Sequence, residues 1–270
     1  MPSPAPLVPL PHLAAVEVAG PDAAQFLNGQ LSNDTLSLAP GAWQLASLST
    51  PKGRVVAVLS LGRIEGGYYA VLPRELAAAF IERLGKYILR SKLTLRLAAA
   101  ELAVWGSMES QDRFAIEPAT APATRLDVGD TERRWKLKRI AAGLPQVYPA
   151  TAEQFVAQMI NLDLVQGISF RKGCYTGQEI IARTQNLGRI KRRMLRFAIG
   201  EQSSVTVGEV VTLANYGSAA VVESANSDMG QELLAVVHLD PRAQDAQAHT
   251  APRIDAHELP LPYAIPERRS

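Results

Sequence analysis

Cys174 is the only cysteine in the 270-residue chain, and it lies inside Lys172-Gly173-Cys174-Tyr175-Thr176-Gly177-Gln178-Glu179. Thr176 followed three residues later by Glu179 has the form of a capping box, in which the threonine oxygen takes an amide hydrogen of the first turn and the glutamate reaches back to the cap. A helix is therefore predicted to begin at Gly177, to run through Glu179-Ile180-Ile181-Ala182-Arg183, and to stop at Asn186-Leu187-Gly188. Cys174 then sits just outside a helix N-terminus, where unpaired amide hydrogens and the positive end of the dipole favour an anion. Arg171 and Lys172 add positive charge. Both effects push toward a usable thiolate, the form that attacks electrophiles or ligates metals, with Lys172 as its activating cation. The competing reading is a free cysteine used as a small buried hydrophobe, and residue types alone leave the two open. Gly173 and Gly177 decide nothing here, because flanking glycines need mean only unusual backbone angles.

The elements that must position this octamer follow from periodicity. Leu13 to Val18 reads as a strand, Gly20-Pro21-Asp22 opens a short helix carrying Phe26 and Leu27, and Gly29 can end it. Trp43 to Ser49 and Arg54 to Gly62 read as strands around Thr50-Pro51-Lys52-Gly53, followed by Tyr68 to Leu72. Arg74 to Arg90 is the clearest helix, with Leu76, Phe80, Ile81, Leu84 and Ile88 at three- and four-residue steps. Lys92 to Leu97, Glu101 to Trp105 and Arg113 to Ile116 are further short strands. Glu117 to Pro122 reads as a linker, Thr131 to Ala142 as a helix carrying Trp135, and Glu153 to Ile160 as another helix. Beyond Arg193 come short strands at Met194 to Ile199, Glu209 to Leu213, Ala219 to Ser224 and Leu233 to Leu239, the pattern of a small β-barrel.

A hydrophobic fraction of 47% and a charged fraction of 20% describe an ordinary soluble globular chain. The start lacks the pattern of a signal peptide and no stretch reaches membrane-spanning length, so a cytoplasmic protein without membrane contact is expected. A single cysteine allows no internal disulfide and cannot by itself supply the several thiolates that hold an iron–sulfur cluster. Between Arg171 and Arg196, eight basic residues stand against the single acid Glu179. That excess reads either as a groove for an anion such as a folate tail or as a solvated strand and loop. The net charge of +2 does not mark a nucleic-acid binder, so direct nucleic-acid binding is not expected. The four histidines show no metal-ligand spacing, and no resident metal is predicted.

The octamer resembles the signature of the YgfZ family of folate-binding proteins, which are related to the aminomethyltransferase of the glycine cleavage system. Phe26-Leu27-Asn28-Gly29-Gln30-Leu31, Pro51-Lys52-Gly53-Arg54, Trp135 with Ile140, Ala142, Gly143 and Pro145, and Asn161-Leu162 leading into Gly167 to Lys172 resemble further family segments, in order. Leu261 to Glu267 resembles the closing segment. The resemblance implies an α+β, aminomethyltransferase-like fold of mixed sheets with packed helices plus a small C-terminal β-barrel. The folate-binding region would span 1–193, with 46–125 as an inner subdomain, and the barrel 194–270. It implies tetrahydrofolate or a derivative as cofactor, with Trp135 as stacking surface and Tyr175, Gln178, Glu179 and Arg183 as further contacts. Cys174 and Lys172 would be the functional thiol and its cation.

The function so implied is that of a monomeric accessory factor that supports iron–sulfur cluster assembly or repair, and through it cluster-dependent tRNA-modifying enzymes. Assembly proteins or client enzymes would be its partners. Two alternatives belong to other classes. A folate-dependent aminomethyltransferase would need the aspartate of its Gly-Gly-x-x-Asp-Asp stretch, and the corresponding Lys52-Gly53-Arg54-Val55-Val56-Ala57 holds no carboxylate. A cysteine-nucleophile enzyme would need a base within hydrogen-bond reach of Cys174. Ala141 stands where relatives often carry a glutamate in an Ile-Glu-Ala-Gly segment, which removes one carboxylate for the pterin.

Overall fold

In a strand, alternate side chains point to opposite faces, so a strand apolar on both faces must be covered on both. The computed structural model of this chain describes residues 7–100, 102–109, 114–118, 128–186, 190–240 and 251–266. Strands β2 (Leu13–Ala19), β3 (Trp43–Ser49), β4 (Val55–Ile64), β5 (Gly67–Pro73) and β6 (Thr94–Leu97) form an antiparallel sheet in the order β3-β4-β5-β2-β6. Ala14, Val16 and Val18 of β2 enter the main core with helix α2 (Arg74–Gly85), whose Leu76, Ala77, Phe80 and Leu84 are buried. Leu13 and Ala15 enter a second core under the small sheet of β1 (Leu7–Pro9), β7 (Leu102–Ser107) and β8 (Phe114–Pro118).

Six strands complete the fold: β9 (Arg192–Ile199), β10 (Val210–Leu213), β11 (Gly217–Ser227), β12 (Gly230–His238), β13 (Arg253–Ile254) and β14 (Ala256–Leu259), in the order β13-β10-β11-β12-β9-β14. Residues 253–254 pair with β10 and residues 256–259 with β9, so one extended run laps both edges and curls the sheet into a half-barrel. Leu195, Phe197, Val221, Leu233, Ala235 and Val237 fill its own interior. Met194, Ala220, Val222, Leu234 and Val236, one residue out of phase, join the main core. Both faces are thereby covered, which accounts for the near-continuous apolar runs.

Three local expectations are corrected. The long helix stops at Gly85 because the ladder there tightens to bonds from Tyr87 to Leu84 and from Ile88 to Gly85, ahead of a left-handed Leu89 at φ +43°. Glu153 to Ile160 is not a helix but contributes a 3-10 turn over Ala157–Ile160. Val55 recruits the stretch before that turn, since its carbonyl accepts the Glu153 amide and its amide donates to Phe155. The proline-rich start contains a strand, β1, that the sequence pattern does not announce. Glu117 and Pro118 belong to β8, and residues 119–122 of the expected linker lie outside the described residues.

Candidate functional site

Helix α1 (Ala23–Gln30) ends with carbonyls that have no partner inside the helix, and the octamer supplies partners for them. The Asn28 carbonyl accepts from Lys172 Nζ and the Gly29 carbonyl from the Thr176 amide, at 2.5 and 3.2 Å. Just upstream, the Ser169 amide donates to the Ser32 carbonyl at 3.0 Å, Ser32 Oγ to the Gly167 carbonyl at 2.6 Å, and Asn33 Nδ2 to the Gln166 carbonyl at 2.8 Å. The β3–β4 turn closes the third side. Gly53 and Gly177 both hold positive φ, +70° and +84°. A Cβ at Gly177 would lie 2.6 Å from the Thr50 carbonyl oxygen, and one at Gly53 would lie 2.8 Å from Ile180 Cβ. Three segments far apart in sequence, 26–33, 50–54 and 166–180, thus meet in one place.

Cys174 is exposed at the crown of the loop these contacts hold by its two ends. Arg171 and Gly173 beside it are also exposed. Helix α4 (Gln178–Asn186) starts one residue later than predicted, with Gly177 as a left-handed turn ahead of it. Thr176 Oγ1 bonds Gln30 Oε1 at 3.2 Å instead of serving as an N-cap, because α1 is close enough to claim it. The predicted stop at Leu187-Gly188 lies outside the described residues.

Lys172 reaches the C-terminal end of α1. Its ammonium donates to the carbonyls of Asn28, Leu31 and Asn33 at 2.5, 2.8 and 3.0 Å and stands 4.9 Å from the Tyr175 ring centre. Three donors are matched by three acceptors, so the hydrogen bonds of the ammonium all go to main-chain carbonyls. Burial pulls its pKa down to about 8, with Asp34 opposing. Tyr175 is buried in the main core, and burial pushes its phenol up to about 12. On α4, Gln178 is half-buried and Glu179 and Arg183 are exposed.

Trp135 is elsewhere. It sits on α3 (Val128–Ala141), is 3% exposed, and packs with Val8, Leu10 and Leu13 in the core under the small sheet. His12 and Phe114 lie at centroid distances of 5.5 and 6.1 Å, and the Arg139 guanidinium covers the ring at 4.9 Å. No face is left for a pterin, which corrects the expectation of Trp135 as a stacking surface. The remaining expected folate contacts, Gln178, Glu179 and Arg183, offer hydrogen bonds and charge but no open ring.

The basic run is also divided by the fold. Arg193 forms a two-pronged pair with Asp163 at 2.6 and 2.9 Å, and Arg196 pairs with Glu232 at 2.6 Å. Lys172 is caged, leaving Arg171, Arg183 and Lys191 exposed. The other resembling segments build a clamp rather than a site. Tyr263 Oη donates to the Gly143 carbonyl at 2.7 Å, and Asn161 Nδ2 donates to the Met194 carbonyl at 2.7 Å. Asn28, Ser32 and Asn33 are the structural partners that sequence reasoning passed over, and their one local signal is the turn-forming run Ser32-Asn33-Asp34. Glu223, buried within β11, accepts from the Tyr148 hydroxyl at 2.7 Å, and burial raises its pKa; a lone acid in an apolar strand was its signal.

Relatives align across this whole arrangement. The chain is 30% identical to an uncharacterised protein of Haemophilus influenzae over 280 residues, covering 96% of this chain and 99% of that one. It is 29% identical to the tRNA-modifying protein YgfZ of Klebsiella pneumoniae, covering 96% and 93% of the two chains. For the protein of the same name from Enterobacter sp. the identity is 27%, covering 97% and 94%. The chain belongs to the YgfZ family. No protein-family model matches it. The structure of the glycine cleavage system aminomethyltransferase T from Bartonella henselae superposes with a TM-score of 0.67 over 86% of this chain and 78% of that one. At 17% identity this shows that the chain has the fold of that aminomethyltransferase, and nothing about chemistry. Among the described residues no helix is long and apolar enough to cross a membrane, and no group of three His, Cys, Asp or Glu residues is placed to hold a metal.

Proposed function

We propose that this protein is a folate-binding accessory factor that supports iron–sulfur cluster assembly or repair and, through it, cluster-dependent tRNA modification, with Cys174 as its working group. The observation that carries the reading is the exposed thiol on a loop tied down at both ends, at the meeting point of the three segments that resemble the family. A single exposed thiolate can donate one ligand to a cluster whose other ligands belong to a partner, and it cannot hold a cluster alone. Two relatives bear the name tRNA-modifying protein, which agrees with a client enzyme of that kind. Gln178, Glu179 and Arg183 would hold the polar edge of a folate and Arg171 and Lys191 its anionic tail.

The transferase alternative is disfavoured because the turn beside the site, Thr50 to Arg54, carries no carboxylate. The cysteine-nucleophile alternative has no histidine base at the converging segments among the described residues. His12 packs on Trp135, and His238 and His257 lie on β12 and β14, so none belongs to the three converging segments.

Titration calorimetry with tetrahydrofolate and 5-formyltetrahydrofolate, on the native chain and on Cys174→Ser, tests the ligand. Mass spectrometry of modified tRNA nucleosides, in a strain carrying only that variant, tests the thiol. Saturable binding by both proteins and a loss of methylthiolated nucleosides in the variant are expected. Absence of folate binding by the native chain overturns the ligand assignment, and normal nucleosides at normal protein level remove Cys174 from the mechanism.

A further inference from the structure

We propose that Lys172 is a positioning residue whose ammonium acts as the resident monovalent cation of a carbonyl cage, and that this caged charge sets the conformation of the Cys174 loop. The inference rests on the reading of Cys174 as the functional thiol. Between Ser169 and Tyr175 the loop has no hydrogen bond to the rest of the described chain except those of the Lys172 side chain. Gly173 gives no help, since nothing lies within 4 Å of where its Cβ would be. The thiol is exposed, so the stem of Lys172, inserted under the loop, is what ties the crown to α1.

The cage has the composition of a cation site. Its walls are the carbonyls of Asn28, Leu31 and Asn33, with the Tyr175 ring below and the Asp34 carboxylate as the neighbouring charge. The Asn28 and Leu31 carbonyls belong to the C-terminal end of α1, where the helix dipole is negative. Rings of main-chain carbonyls are the means by which proteins replace the hydration shell of potassium, and an ammonium group presents the same charge with directed donors. A neutral side chain of equal length would leave three inward-pointing carbonyls without a donor, which is the costly half of breaking a buried hydrogen bond.

The variants are Lys172→Ala, which empties the cage, and Lys172→Met, which fills it with an uncharged stem. Exchange of the Thr176 amide, which donates to the Gly29 carbonyl at the end of the loop, and the rate of Cys174 alkylation by iodoacetamide are measured in choline chloride. They are then measured at equal ionic strength in potassium or ammonium chloride. In choline, both variants should exchange about tenfold or more faster than the native chain, as the loss of charge-assisted bonds implies. Potassium or ammonium should return Lys172→Ala toward the native rate and leave Lys172→Met unchanged. Should Lys172→Ala fail to fold in choline, recovery in potassium or ammonium supports the cage and failure in every salt counts against it. Native-like exchange in both variants overturns the positioning role, and fast exchange in Lys172→Ala that no cation slows overturns the cation site. None of these readings uses folate or tRNA, so they can fail while the assignment of Cys174 stands, or hold while that assignment falls.

Discussion

Gly177→Ala probes the join between the octamer and the β3–β4 turn, and its cost can be worked out from two separate terms. Gly177 holds φ +84°, a left-handed conformation that costs an L-residue about 1–2 kcal/mol. Its new Cβ would stand 2.6 Å from the Thr50 carbonyl oxygen and 3.3 Å from Gly53 Cα, both main-chain atoms. Relief therefore requires the turn or the start of α4 to move, an overpacking cost of about 1–3 kcal/mol. A total near 3 kcal/mol is expected, or a fall in Tm of roughly 6–12 °C for a chain of this size. Gly173→Ala is the internal control, because no positive φ is recorded there and no atom lies within 4 Å of the added methyl. It should fall within about 0.5 kcal/mol of the native chain. Urea unfolding followed by tryptophan emission suits the comparison, since Trp43, Trp105 and Trp135 all lie in the N-terminal part of the fold. Equal losses for the two variants, or a loss under about 1 kcal/mol for Gly177→Ala, would refute the interlock of the two segments.

Burial holds the His12 pKa down to about 4, so the imidazole is neutral in the folded chain while the unfolded chain takes up the proton below about 6.5. Its contribution is present above pH 6.5 and is lost as pH falls toward 4, by up to about 3 kcal/mol; His12→Phe should flatten the dependence of the urea midpoint on pH in that window, and an unchanged slope would count against it. Arg193 and Asp163 form an ion pair whose side chains are each 3% exposed. Arg193→Met should cost about 3–5 kcal/mol by stranding the carboxylate, and Arg193→Met with Asp163→Leu should cost clearly less; a double-mutant cycle with no coupling would show the pair to be unimportant.

What could be read from the sequence was what depends on near neighbours. The β-rich run Trp43 to Ser49 and the three-to-four spacing in Arg74 to Leu84 are local signals, and both elements are found there. The octamer was legible as a place of interest for a similar reason, since its residue types cluster within eight positions. The roles inside it were not. Lys172 and its acceptors Asn28, Leu31 and Asn33 are about 140 residues apart, and nothing near Lys172 signals that its charge is already taken. Thr176 shows the same limit, since the capping box is a local pattern and the hydroxyl is claimed by Gln30 from a distant helix.

The misreading of Trp135 and the missed strand β1 meet at one ring. Val8 and Leu10 help to cover the tryptophan, with Val8 in a three-residue strand that ends in Pro9, too short for alternation to show. The strand adds to the cover that Leu13, Phe114, His12 and Arg139 already place on the ring. The indole is core, and its guanidinium neighbour Arg139 is packing rather than ligand recognition. The exposed aromatic residue near the thiol in sequence is instead Phe170, 44% exposed and four residues ahead of Cys174. Tyr175, on the other side of the cysteine, is turned into the core. Of the two aromatic residues that flank Cys174 in sequence, only Phe170 is exposed.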